Sequence, residues 1–203
     1  MKQKTTTTKD AVELMNEIKQ SLHDDILTAL DIYSKTGTGF FAIPRLIFPE
    51  IDNLGAYMAG TTKNSPKNAI AFIKKYYAII NPEYTKKGAL IYFIYRHGLM
   101  HQHVPKFVSY RKKNIGWQIS LTMENTKSTH LMLMDKTIIL EGRQLYTDTI
   151  FAIDEYIKDL QSDKKVLNNL IIAHQMMMSP INKTALLKNY KNYIKQADLN
   201  FLK

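Results

Sequence analysis

The sequence contains no cysteine, which excludes a disulfide framework, a cysteine nucleophile and a thiolate zinc site. No apolar run reaches the ~18 residues a transmembrane helix needs, so no membrane partner is expected. The stretch from Met1 to Lys9 lacks the apolar centre of a signal peptide, and a cytoplasmic protein is the expectation. There is no Walker phosphate loop, GxGxxG fingerprint, Ser-centred elbow, paired-carboxylate motif or internal repeat. What is present is ordinary for a globular chain: 45% hydrophobic and 23% charged residues. A chain of 203 residues fits one domain and folds without a structural metal or disulfide.

Acidic residues are scarce in the middle of the chain. Residues 61–140 hold 13 Lys/Arg against 3 Asp/Glu, whereas 1–60 hold 6 against 8 and 141–203 hold 9 against 7. The net charge of +10 is therefore the charge of the middle segment. Such a concentration favours an anionic partner, nucleic acid first and an acidic protein or membrane surface next. A Lys-rich solvated surface is the bland alternative.

Hydrophobic periodicity predicts a mainly α fold: a helical bundle with a small antiparallel β-sheet inserted at about residues 106–141. Residues 1–9 read as a disordered tail and residues 10–203 as a single domain. Asp10 is the expected cap of a helix to about Tyr33, whose apolar positions Met15, Leu22, Ile26 and Leu30 share one face. A second helix covers Phe41 to Met58, with a kink expected at Pro49. A third covers Asn68 to Ile80, and a fourth runs from Thr85 to about Gln102. The centre of the fourth, residues 89–95, is apolar on all sides and is expected to be wholly buried. Ile115, Trp117, Ile119 and Leu121 alternate with smaller or polar residues and predict a half-buried strand. His130 to Met134 and Thr137 to Glu141 predict a hairpin. Helical patterning returns over Arg143 to Leu160, Val166 to Met178 and Lys183 to about Ala197.

Three of the six histidines fall within residues 97–103, directly after Arg96, where the apolar helix turns polar. Arginine offers a fixed fork of donors to phosphate oxygens, and histidine exchanges a proton near neutral pH. The run Arg96-His97-Gly98-Leu99-Met100-His101 resembles the motif of HEPN domains: Arg, a polar residue, then His after a short spacer. The preceding apolar helix and the bundle setting agree with that resemblance; the inserted sheet departs from a minimal HEPN bundle. The resemblance implies a metal-independent endoribonuclease of toxin or defence type that needs no cofactor and acts on RNA as a homodimer, with an antitoxin protein as a further partner. It also implies roles. His101 is the base that takes a proton from a ribose 2′-hydroxyl, Arg96 holds the scissile phosphate, and His97 orients the site or protonates the leaving oxygen.

Five residues along an ideal helix turn through about 500°, which leaves Arg96 and His101 about 140° apart. Either the long Arg side chain reaches round, or the helix unwinds near Gly98, or a second protomer completes the site. His97 and His101, four residues apart, do share a face. That pairing opens a His-based metal site, although the nearest acidic residues in sequence are Glu83 and Glu124. Favourable placement of cations at a helix C-terminus is a purely structural alternative. So is a non-catalytic nucleic-acid- or protein-binding scaffold built on the same bundle. His103, Lys106, Arg111, Lys112 and Lys113, interleaved with Phe107 and Tyr110, form a candidate nucleic-acid-binding edge. Glu50 and Asp52 are candidates to face the site from the second helix.

Overall fold

A computed structural model describes residues 7–102, 104–110, 113–121 and 129–180, with 184, 187, 188 and 195. The fold is mainly α, with six helices and a four-stranded sheet among these residues. Helix α1 spans Thr8–Thr36. Its cap is Thr7 rather than Asp10. The Thr7 hydroxyl accepts from the Asp10 backbone N–H at 3.2 Å, and the Asp10 carboxylate accepts from the Thr7 N–H at 2.8 Å. Thr8 and Lys9, expected in the tail, are therefore helical, because this reciprocal pair satisfies the first free N–H groups. Gly37, at φ 68°, ends the helix.

Helix α2, Ala42–Ala59, continues through Pro49 and lies against α1 on one side. Its other side meets helix α3, residues 65–80. Gly55 allows that approach: a Cβ there would lie 2.6 Å from the backbone N of Ala69. Helix α3 is α-helical over Ser65–Phe72 and Ala78–Ile80 and widens to a π-helix over Ile73–Tyr77. Helix α4, residues 83–102, is α-helical over Glu83–Ile91, π-helical over Tyr92–His97 and α-helical again over Gly98–Gln102. Ile91, Tyr92, Ile94 and Tyr95 are buried, but Phe93 is 51% exposed, so the apolar centre of α4 is not enclosed on all sides.

Strands β1 (Val108–Tyr110), β2 (Lys113–Ser120), β3 (Leu133–Met134) and β4 (Thr137–Glu141) form one sheet in the order β1-β2-β4-β3. The expected hairpin joins β3 to β4, with Asp135 and Lys136 at φ 44° and 64° in the turn. The sheet is mixed rather than antiparallel, since β2 and β4 run parallel with Trp117 opposite Ile138. The run Ile138-Ile139-Leu140 explains this. Its side chains are buried on both faces of β4, so β4 takes an interior place and β3 is left at the edge. Tyr95 fastens the sheet to the bundle: its hydroxyl lies 3.0 Å from the Gln118 carbonyl and 2.9 Å from that of Ile138.

Helix α5, Gly142–Ser162, is capped by the Glu141 carboxylate, and helix α6, Lys164–Met178, by Asp163. The helix expected over residues 183–197 falls almost wholly outside the described residues. Phe72, Tyr76, Tyr77, Tyr84 and Tyr156 form an aromatic centre where α3, α4 and α5 meet. Among the described residues, no helix is long and apolar enough to cross a membrane.

Candidate functional site

Arg96 is the last residue but one of the π-helical segment of α4. The helix returns to α-geometry over Gly98–Gln102, and the long Arg96 side chain reaches round it, so that Arg96 Nη1 lies 3.3 Å from His101 Nε2. Since arginine only donates, His101 Nε2 accepts, which places the imidazole proton on Nδ1. The widening is held from outside the helix. The Lys106 backbone N–H donates to the Ile94 carbonyl at 2.9 Å as the chain folds back on leaving α4. Gly98 makes room for that return, since a Cβ there would lie 2.4 Å from the Val104 carbonyl oxygen and 2.6 Å from the Lys106 N.

The other side of Arg96 is fixed by α2. Arg96 Nε and Nη2 donate to Asp52 Oδ2 at 2.9 and 2.8 Å, and the Tyr92 hydroxyl donates to Asp52 Oδ1 at 2.6 Å. Burial, then the Asp52 carboxylate, pushes the Tyr92 phenol up to about 12, so Tyr92 stays protonated as a donor. Asp52 is thus the acidic residue that the local sequence around the motif lacks. Glu50 points elsewhere. It lies about 200° round the helix from Asp52 and faces Ile18, Leu22 and Asp25 of α1. There, burial raises its carboxyl above the usual range.

His97 lies between Phe93 and His101. Its ring is nearly parallel to that of Phe93, at 10° and 5.6 Å between centroids, and 4.9 Å from that of His101. Partial desolvation, with the charges of Lys106 and Arg96 and the nearby His101, holds His97 below its ordinary value of 6.5. Lys106 therefore belongs to the site. Phe107 is 67% exposed, and its ring lies 6.4 Å from that of Trp117. His103, Arg111 and Lys112 lie outside the described residues, as does the side chain of Lys113, whose backbone pairs with Tyr110. A groove of about 520 Å³ lined by Phe40, Phe41, Arg45 and Leu46 opens at the start of α2 and includes none of the motif residues. Among the described residues, no group of three or more His, Asp or Glu is placed to hold a metal ion.

A second polar cluster, which no sequence spacing announced, is sealed between sheet and bundle. His130 Nδ1 accepts from the Glu141 N–H at 3.1 Å, which assigns its proton to Nε2. His130 Nε2 then donates to the Tyr84 hydroxyl at 2.7 Å, and Tyr84 donates to Asp148 Oδ2 at 2.8 Å. Gln144 holds the other Asp148 oxygen at 2.8 Å. Burial lowers His130 from 6.5 to about 4 and raises Asp148. The members are 46 and 64 residues apart, so only the fold brings them together.

No family model matches the chain, and neither a curated protein nor a solved structure is significantly similar to it.

Proposed function

We propose that this protein is a HEPN-like, metal-independent endoribonuclease, acting as a homodimer in the cytoplasm. The observation that carries the reading is the Asp52–Arg96–His101 chain: an arginine anchored by a carboxylate and pointed at a histidine ring nitrogen. Asp52 leaves part of the Arg96 fork free for phosphate oxygens. An RNA phosphate that draws Arg96 Nη1 to itself frees the Nε2 lone pair of His101. His101 then takes the proton of the ribose 2′-hydroxyl, and the 2′-oxygen attacks the adjacent phosphorus. The P–O5′ bond breaks and the 5′-oxygen takes a proton from His97 or from solvent, leaving a 2′,3′-cyclic phosphate and a 5′-hydroxyl, while Arg96 stabilises the charge on the phosphoryl oxygens. His97, whose proton affinity its surroundings lower, orients this site or protonates the leaving 5′-oxygen. Lys106 adds positive charge beside the histidines. An antitoxin protein that covers this surface belongs to the same reading.

The test is cleavage of a mixed RNA pool in EDTA by the parent and the Arg96→Ala/His101→Ala variant. The parent cuts RNA but not DNA, and the variant loses at least about 100-fold in rate. Equal cutting by both proteins would remove the site from this helix end. The Asp52–Arg96 ion pair also ties α2 to α4, which favours a second reading, a non-catalytic nucleic-acid-binding scaffold. On that reading the parent binds RNA with steep salt dependence and never cuts it.

A further inference from the structure

Phe93 is a large aromatic side chain set in solvent within a segment whose neighbours Tyr92, Ile94 and Tyr95 are all buried. Its placement is ordered rather than loose. One face lies nearly parallel to the His97 ring at 5.6 Å, and His97 leads on to His101 at 4.9 Å. The three rings form a row along α4 that ends where Arg96 Nη1 meets His101. The surroundings are cationic, since Arg96 and Lys106 both act on His97. An exposed aromatic plane in a positive setting fits a π-face that carries negative charge alongside it, which describes a nucleobase on its phosphate backbone.

We infer that Phe93 is a specificity-determining residue: the base of a nucleotide flanking the scissile phosphate stacks on its ring, which restricts the site to unpaired RNA. The inference rests on the proposed ribonuclease reading and extends it to the substrate class. A duplex keeps its bases stacked on one another and offers no free face to Phe93, whereas a single strand or loop can splay one out.

The experiment uses a fluorescein-labelled 2′-O-methyl oligoribonucleotide of 12 nucleotides, which cannot be cleaved because its 2′-oxygens are blocked. Anisotropy titrations compare parent, Phe93→Ala and Phe93→Trp, each with the single strand and with its duplex. Thermal unfolding confirms that the exposed substitutions leave the fold intact. Phe93→Ala weakens single-strand binding about tenfold, the worth of one stacked base, and leaves duplex binding unchanged. Phe93→Trp keeps the parent affinity, and the added indole emission is quenched by the single strand. Equal single-strand affinity of parent and Phe93→Ala overturns the inference while the ribonuclease reading stands. Equal weakening toward strand and duplex also overturns it, because stacking on a free base has no hold on a duplex. If Phe93→Ala converts a dimer to a monomer in sedimentation with RNA affinity unchanged, the ring is a subunit contact instead. A parent that binds neither strand nor duplex removes the ribonuclease reading, and the stacking with it.

Discussion

Arg96 carries five N–H donors, and Asp52 engages two nitrogens of the fork. An arginine held this way keeps its direction before any ligand arrives, which lowers the cost of ordering it in a transition state. Asp52 is a positioning residue on this account, with Tyr92 behind it. Asp52→Asn keeps the size of the side chain and removes the charge that orients the guanidinium. On the proposed ribonuclease reading, RNA cleavage by Asp52→Asn falls about 10- to 100-fold, mainly in kcat, and unfolding by urea shows a loss of about 1–2 kcal/mol for the half-buried pair. An unchanged kcat with the same loss of stability would make Asp52 a structural tie only. The Arg96, His97 and His101 run was legible from the sequence because its members are neighbours. The Arg96–Asp52 contact was not: Asp52 was one of two carboxylates on α2, and only the packing of α2 on α4 chose it over Glu50.

Helix α4 is the element on which the site depends, and its feature is a local change of pitch. The π-helical segment over Tyr92–His97 ends with Arg96 and His97, and from its end the long Arg96 side chain reaches His101 across the α-helical turn Gly98–Gln102. No residue in that segment encodes the widening by itself. The Lys106 N–H takes the Ile94 carbonyl where the returning chain passes Gly98, so the Ile94 carbonyl in the wide segment is not left wanting. Gly98→Ala puts a Cβ against three backbone atoms at 2.4–2.6 Å, none of which can turn away as a side chain can. Gly98→Ala therefore destabilises the protein by about 1–3 kcal/mol in thermal unfolding and, on the proposed ribonuclease reading, displaces the Arg96–His101 pair with loss of cleavage beyond the loss of folded protein. Cleavage by the folded fraction equal to the parent would show that the Gly98 contact does not set the site. The sheet teaches the same lesson. Its hairpin was legible from alternation and turn residues, but the parallel pairing of β2 with β4 was not, because it follows from where a strand apolar on both faces finds cover.

Over the whole molecule, the basic middle segment comprises α3, α4 and most of the sheet. Part of its charge is balanced locally, by Lys75 with Asp159, Lys87 with Glu83 and Arg96 with Asp52. The sheet is joined to the bundle by Tyr95 and by the buried His130–Tyr84–Asp148 chain. That chain makes stability depend on pH. His130 binds its proton at about 4 in the fold and at 6.5 when unfolded, so acid protonates the unfolded chain first. The stability it contributes is present above pH 6.5 and is lost as pH falls toward 4, by up to about 3 kcal/mol. Asp148, raised by burial, acts in the opposite sense: its contribution is present below its unfolded value of 3.8 and is lost as pH rises through its folded value. Urea midpoints measured from pH 7 to 4.5 fall for the parent. They fall by less for His130→Gln, which keeps a donor toward Tyr84 but does not titrate. Parallel curves for the two proteins would remove His130 as the source.

The sequence by itself determined the helical bundle, the site of the β insertion, the concentration of positive charge and the grouping of Arg96, His97 and His101. Each of these is local, carried by periodicity, turn residues or near neighbours along the chain. Only the tertiary structure decided which carboxylate meets Arg96, that α4 widens over Tyr92–His97, that Phe93 faces solvent and that His130 is sealed beside Asp148. Those outcomes depend on which faces of distant segments pack together, and burial and hydrogen bonding between residues 44 to 64 positions apart select among arrangements that local propensity leaves equal.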